Sequence, residues 1–122
     1  MDLTRRFPRS GDKKLGGYPW LPRMIDKCRA YIDGTLGDYI FPCPIDMQLL
    51  TEIDVTEDEF EEIVRKAKTD QDVLSALELP KDNPDPSARK WADEFLESRR
   101  DSLQRLAEEE GRPSIDASPS SF

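Results

Sequence analysis

The sequence predicts an all-α domain of about five helices, with an extended N-terminal arm and at most a short β element. Three observations predict it. Apolar residues recur at helical spacing from Leu21 onward. Capping patterns such as Thr56-Glu57-Asp58-Glu59 stand just ahead of several of these stretches. The first 20 residues hold Pro8, Gly11, Gly16, Gly17 and Pro19, too many breakers for a helix. At 122 residues the chain fits one domain with one modest core, expected over residues 1–111.

Taken in order, residues 1–20 form the arm, with Leu3, Phe7, Leu15, Tyr18 and Trp20 available to pin it to the body. Gly16-Gly17 suits a turn that needs positive φ. A helix follows from Leu21, with Pro22 in its first turn and Gly34 as its stop. Leu21, Met24, Ile25, Cys28, Tyr31 and Ile32 fall within an arc of about 120°, a core-facing stripe. Arg23, Asp26, Lys27, Arg29, Ala30 and Asp33 take the opposite, outward face. Tyr39-Ile40-Phe41 is the one β-prone run, closed by Pro42 and Pro44.

Asp46 is read as the N-cap of a short helix with Leu49, Leu50 and Ile53 inward. Thr56 and Glu59 open the next helix, and Thr69 and Asp72 repeat the logic for another that Pro80 stops, so that helices fill residues 21–79. After a polar connector, Asp85-Pro86 caps one long helix over residues 86–110, about 37 Å, ended by Gly111. Arg99 sits in the middle of its apolar stripe, and a buried carboxylate such as Asp26 or Asp46, or an outward reach of the side chain, accounts for it more readily than a place in the lining of a ligand pocket. Residues 112–122 read as a disordered tail.

Charge is unevenly placed. Residues 1–32 carry eight Lys and Arg against three Asp, net +5, and the rest carries ten against 23, net -13. A basic front on an acidic body points to an anionic small molecule or an acidic protein surface, and argues against general nucleic-acid binding. No apolar run approaches the ~20 residues of a membrane span, and Met1 to Arg9 lacks the apolar core of a signal peptide, so a cytoplasmic protein is expected. Cys28 and Cys43 are then free thiols. Histidine is absent, which removes Ser-His and Cys-His schemes, and two cysteines without a C-x-x-C exclude an ordinary zinc site. No metal or cofactor is expected. Ser10-Gly11-Asp12-Lys13-Lys14-Leu15-Gly16-Gly17 matches neither common phosphate loop.

The candidate ligand-binding residues are Arg9, Arg23, Asp26, Lys27, Arg29 and Asp46. Arg23 and Lys27 are like charges four apart on the helix, mildly destabilising without an anion or acidic group between them. Arg9, Lys13 and Lys14 complete a cluster from the arm. A plainer account pairs these cations with the acidic remainder of the chain, Asp26 with Arg29 or Arg23 with an incoming glutamate. Two functional classes follow: a binding or adaptor module using the basic arm and helix face, or a small enzyme using Asp26, Lys27, Asp46, Tyr39 and Cys43 in a pocket.

The segments D-L-T-R-R-F-P-R-S, L-G-G-Y-P-W-L-P-R-M-I-D-K-C-R-A and G-D-Y-I-F-P-C-P-I-D resemble a bacterial family, domain of unknown function 5069. The likeness is close over Asp2 to Ile53 and looser as far as Leu79. The family pattern maps onto Pro8, Arg9, Ser10, Leu15, Gly16, Gly17, Tyr18, Arg23, Asp26, Lys27, Arg29, Gly37, Tyr39, Cys43, Pro44 and Asp46. The resemblance implies no particular activity and assigns these positions no role.

Overall fold

Trp20 is where the arm becomes the body. In the computed structural model, which describes residues 1–79 and 86–111, it caps helix α1 (Leu21–Asp33) in a left-handed conformation, φ 75°. A non-glycine residue holds that conformation only where its surroundings fix it. Here the indole is buried, 6.2 Å from the Phe95 ring, and its Nε1 donates to Asp46 Oδ1 at 2.7 Å.

The arm leading to Trp20 contains the only strands among the described residues, β1 (Lys14–Leu15) and β2 (Tyr18–Pro19), paired antiparallel with Leu15 opposite Tyr18. Gly16 and Gly17 join them at φ 60° and 87°, the two consecutive positive values of a type I′ turn. The β element thus lies in the arm and not at Tyr39-Ile40-Phe41. That run turns instead, with Tyr39 N donating to Leu36 O, and it has no partner strand. Leu3, Tyr18 and Trp20 pin the arm as expected, but Phe7 is 50 % exposed.

Five further helices surround α1: α2 (Pro44–Glu52), α3 (Glu57–Lys66), α4 (Asp70–Ala76), α5 (Pro86–Ser98) and α6 (Arg100–Glu109). Both Thr-based capping boxes form, at Thr56 with Glu59 and at Thr69 with Asp72. Asp46 is not the N-cap of α2. Cys43 is, with Pro44 at the first helical position, and Asp46 at the third accepts from Cys43 N at 2.9 Å. The single long helix expected over 86–110 is two. Arg99 leaves the helical region at φ -106° and ψ 9°, and the break re-aims α6 so that Leu103 and Ala107 are buried. Its guanidinium hydrogen-bonds Gln48 Oε1, because Asp26 and Asp46 are engaged elsewhere. Asp85 and the segment 112–122 lie outside the described residues. Among the described residues, no helix is long and apolar enough to cross a membrane.

The core forms where Leu21, Met24, Ile25 and Cys28 of α1 meet Phe60 and Val64 of α3, Leu49 and Leu50 of α2, and Val73 and Leu74 of α4. Another part of the core is an aromatic cluster in which Trp91 stacks on Phe95 at 5.0 Å, while Tyr18 meets Trp91 and Trp20 meets Phe95 in tilted contacts at 5.7 and 6.2 Å. Gly11 lies against this aromatic wall so closely that a Cβ there would come within 2.6 Å of both Leu103 Cδ2 and Trp20 Cε3. Gly11→Ala is therefore expected to destabilise the fold by about 1–3 kcal/mol, the usual range for overpacking. A lowered urea midpoint at unchanged m-value is the measurement.

Candidate functional site

Much of the polar face of α1 is interior, with Arg29 partly buried and Asp33 at the helix end exposed as expected. Arg23, Asp26 and Lys27 are 2 %, 4 % and 3 % exposed, and Asp46, which meets them, is fully buried. The expectation of an outward face is thereby corrected. The physical reason is that carboxylates from three other elements, together with Arg9 of the arm, close over it.

Lys27 Nζ donates to Asp46 Oδ2 at 2.7 Å and to Cys43 Sγ at 3.3 Å. Asp46 also accepts from Trp20 Nε1 and Cys43 N, so both of its oxygens are occupied. Arg23 makes a two-pronged pair with Glu110, Nη1 to Oε1 at 3.1 Å and Nη2 to Oε2 at 2.6 Å, the planar match a guanidinium offers a carboxylate. Tyr39 OH donates to the same Glu110 at 2.8 Å. Both cations approach the Trp20 ring, with Arg23 Cζ 5.2 Å and Lys27 Nζ 5.8 Å from its centre, where each meets the electron-rich face.

At the outer edge, Arg9 binds two carboxylates at once. Its backbone N, Nε and Nη2 reach Asp26 at 2.8, 3.1 and 3.1 Å, and Nη1 and Nη2 reach Asp70 at 2.5 and 3.1 Å. Arg29 lies 3.7 Å from the same Asp70, and Arg9 O accepts from Arg23 Nη1. All six candidate residues therefore belong to one network around Trp20. Asp26 pairs with Arg9 and not with Arg29, while Arg23 does meet a glutamate from the far end of the chain. Two buried donors, Arg23 Nε and Arg29 Nη2, have no hydrogen-bond partner among the described residues.

Four of the six candidates are buried, and Arg9 and Arg29 keep partial exposure. Of the six, Arg9 lines a surface groove of about 510 Å³ with Ser10, Lys13, Lys14 and Pro22. Lys13 and Lys14 are exposed and form no ion pair with the described residues. Glu110 and Asp70 were not singled out by sequence reasoning. The signal available for Asp70 was that Asp72 caps its helix, leaving Asp70 free to face elsewhere. For Glu110 it was the surplus of carboxylates facing eight cations in the first 32 residues.

Ionisation follows the same geometry. Hydrogen bonding to Asp70 foremost, then to Asp26, raises the Arg9 pKa, and Arg9 in turn holds the Asp70 carboxyl below its ordinary 3.8. Burial pushes the Cys28 thiol up to about 12, which makes it an inert core residue.

Lys27→Met leaves Asp46 charged and buried without its ammonium, and is expected to cost about 3–5 kcal/mol. Lys27→Met/Asp46→Asn, which removes the stranded charge, should recover part of that loss in urea denaturation. For Asp70 the sign is set by its lowered pKa. A carboxyl lowered on folding contributes stability above its unfolded pKa, and the contribution is lost as pH falls through the folded value. Asp70→Asn is thus expected to be less stable than wild type near neutrality, with the gap closing below about pH 4, as read from urea midpoints across pH.

No curated protein matches the chain. The family model for DUF5069, a domain of unknown function, matches residues 5–119. The match extends well past Leu79, where the sequence likeness had thinned, and takes in α5 and α6 together with Glu110. With nearly its whole length matched, the chain belongs to the DUF5069 family.

Proposed function

We propose that this protein is a binding module that takes a multivalent anion in the groove of Arg9, Ser10, Lys13, Lys14 and Pro22. The observation that carries the reading is the pair of exposed lysines beside a serine and a fixed arginine in one concavity of about 510 Å³. Arg9 is held in place by Asp26 and Asp70, so the groove is shaped before any ligand arrives. The helix face drops out of the surface first expected, since its cations are neutralised internally. The two free thiols, Cys28 and Cys43, suit a reducing cytoplasm.

The enzymatic alternative built on Asp26, Lys27, Asp46 and Tyr39 finds less support. Each of these groups already holds a partner within the fold, three of them are buried, and a substrate would have to displace those partners to be reached. Thermal-shift measurements with inorganic pyrophosphate and with a poly-glutamate peptide test the binding reading. Stabilisation is expected, about 2.7 kcal/mol at a hundred times the dissociation constant. Lys13→Glu/Lys14→Glu should abolish it while leaving the unliganded melting temperature close to wild type. Absence of any shift with both probes would remove the proposal.

A further inference from the structure

A second groove, of about 560 Å³, runs between α3 and α4. Its floor is apolar, from Ile63, Ala67 and Ala76, and its rim carries Asp58, Glu59, Glu62 and Asp72 against Lys66 alone. Such a surface fits a segment with an apolar anchor flanked by cations. The chain itself displays one. Thr4, Arg5, Arg6 and Phe7 are all exposed, with the Phe7 ring half out of the surface next to two arginines.

That loop is tied at both ends. Leu3 is buried and its N donates to Thr35 O at 2.9 Å, while Pro8 is buried beside Arg9, which Asp26 and Asp70 hold. Its own groove is therefore not its destination, because leaving its seat would expose Leu3 and Pro8. We infer that the α3–α4 groove receives the Arg5-Arg6-Phe7 loop of a second copy of this chain, Phe7 on the Ile63 floor and the arginines against the acidic rim. The two surfaces are different patches of one molecule, so the contact is heterologous, and it either closes by reciprocal exchange in a dimer or continues head to tail. The inference is independent of the anion groove, since Arg5, Arg6 and Phe7 do not line it.

Sedimentation velocity over a concentration series tests it. The wild-type chain is expected to associate at low salt and to fall apart at about 1 M salt, where the screening length is about 3 Å. Phe7→Ser, Arg5→Glu/Arg6→Glu and Asp58→Lys/Glu62→Lys should each weaken association at least about tenfold, the effect of losing an interface anchor. All of these positions except Phe7 are fully charged surface residues, and circular dichroism checks that every variant is folded. Mixing Arg5→Glu/Arg6→Glu with Asp58→Lys/Glu62→Lys should restore association, because reversed arm and reversed groove then match. A wild-type chain that stays monomeric at low salt would overturn the inference. So would association that survives Phe7→Ser, or charge-reversed variants that remain apart when mixed. A basic peptide that binds the groove while the chain stays monomeric would also overturn it, assigning the groove to a different partner.

Discussion

The structure depends on how the cations of α1 are neutralised. Arg23 and Lys27 stand four residues apart and are almost wholly buried, an arrangement no helix sustains without anions close by. The fold supplies them from a distance in sequence. Asp46 comes from the first turn of α2, Asp70 from the start of α4, and Glu110 from the residue after α6. Each of these elements must therefore dock in one register on α1 to bring its carboxylate home. Apolar residues of similar volume would hold such elements together about as strongly, because desolvating an ion pair offsets most of its attraction. What the pairs add is a penalty on any other arrangement, since a slipped helix strands two buried charges.

Trp20 joins the two halves of this scheme. Its left-handed backbone turns the β1–β2 hairpin into α1. Arg23 and Lys27 both pack over its ring, and its N–H completes the set of donors around Asp46. One side chain thus packs against the aromatic wall, meets two cations and satisfies a buried carboxylate. Gly11 has no side chain because the indole and Leu103 already occupy the space one would need. The glycines and prolines of the arm serve this docking: a hairpin with a two-glycine turn sets the direction from which Trp20 enters.

Much of the fold was legible in the sequence, and the limits have a common cause. Helix periods, Thr-based caps and the two-glycine turn are encoded within a few residues of themselves, and they formed as read except at Tyr31, which the α1 stripe placed inward and which is 42 % exposed. The polar face of α1 was misjudged because periodicity separates charged from apolar positions but does not tell water from a neighbouring carboxylate. Asp70 and Glu110, which decide the matter, lie far along the chain. The break at Arg99 escaped for a similar reason: its cause is the need for α6 to swing Leu103, Ala107 and Glu110 onto the arm and α1, a tertiary demand with no proline or glycine to mark it. The six candidate residues did come together, as a network of mutual pairs in which only Arg9 reaches the surface groove with Lys13 and Lys14.

The net charge hides how the cations at the front are divided. The front of the chain carries a surplus of five positive charges, and its cations divide into two populations. Arg9, Arg23, Lys27 and Arg29 face carboxylates of the same molecule, so their field is largely cancelled within the fold. Arg6, Lys13 and Lys14 have no such partner among the described residues, and Arg5 has only the loose contact with Asp2 at 3.7 Å. The cationic surface that the front of the chain turns outward is thus the arm, held in shape by the internal pairs. The groups with acid–base potential are engaged in mutual contact inside the fold, and the cations of the arm stand outside on a rim that the internal pairs hold in shape.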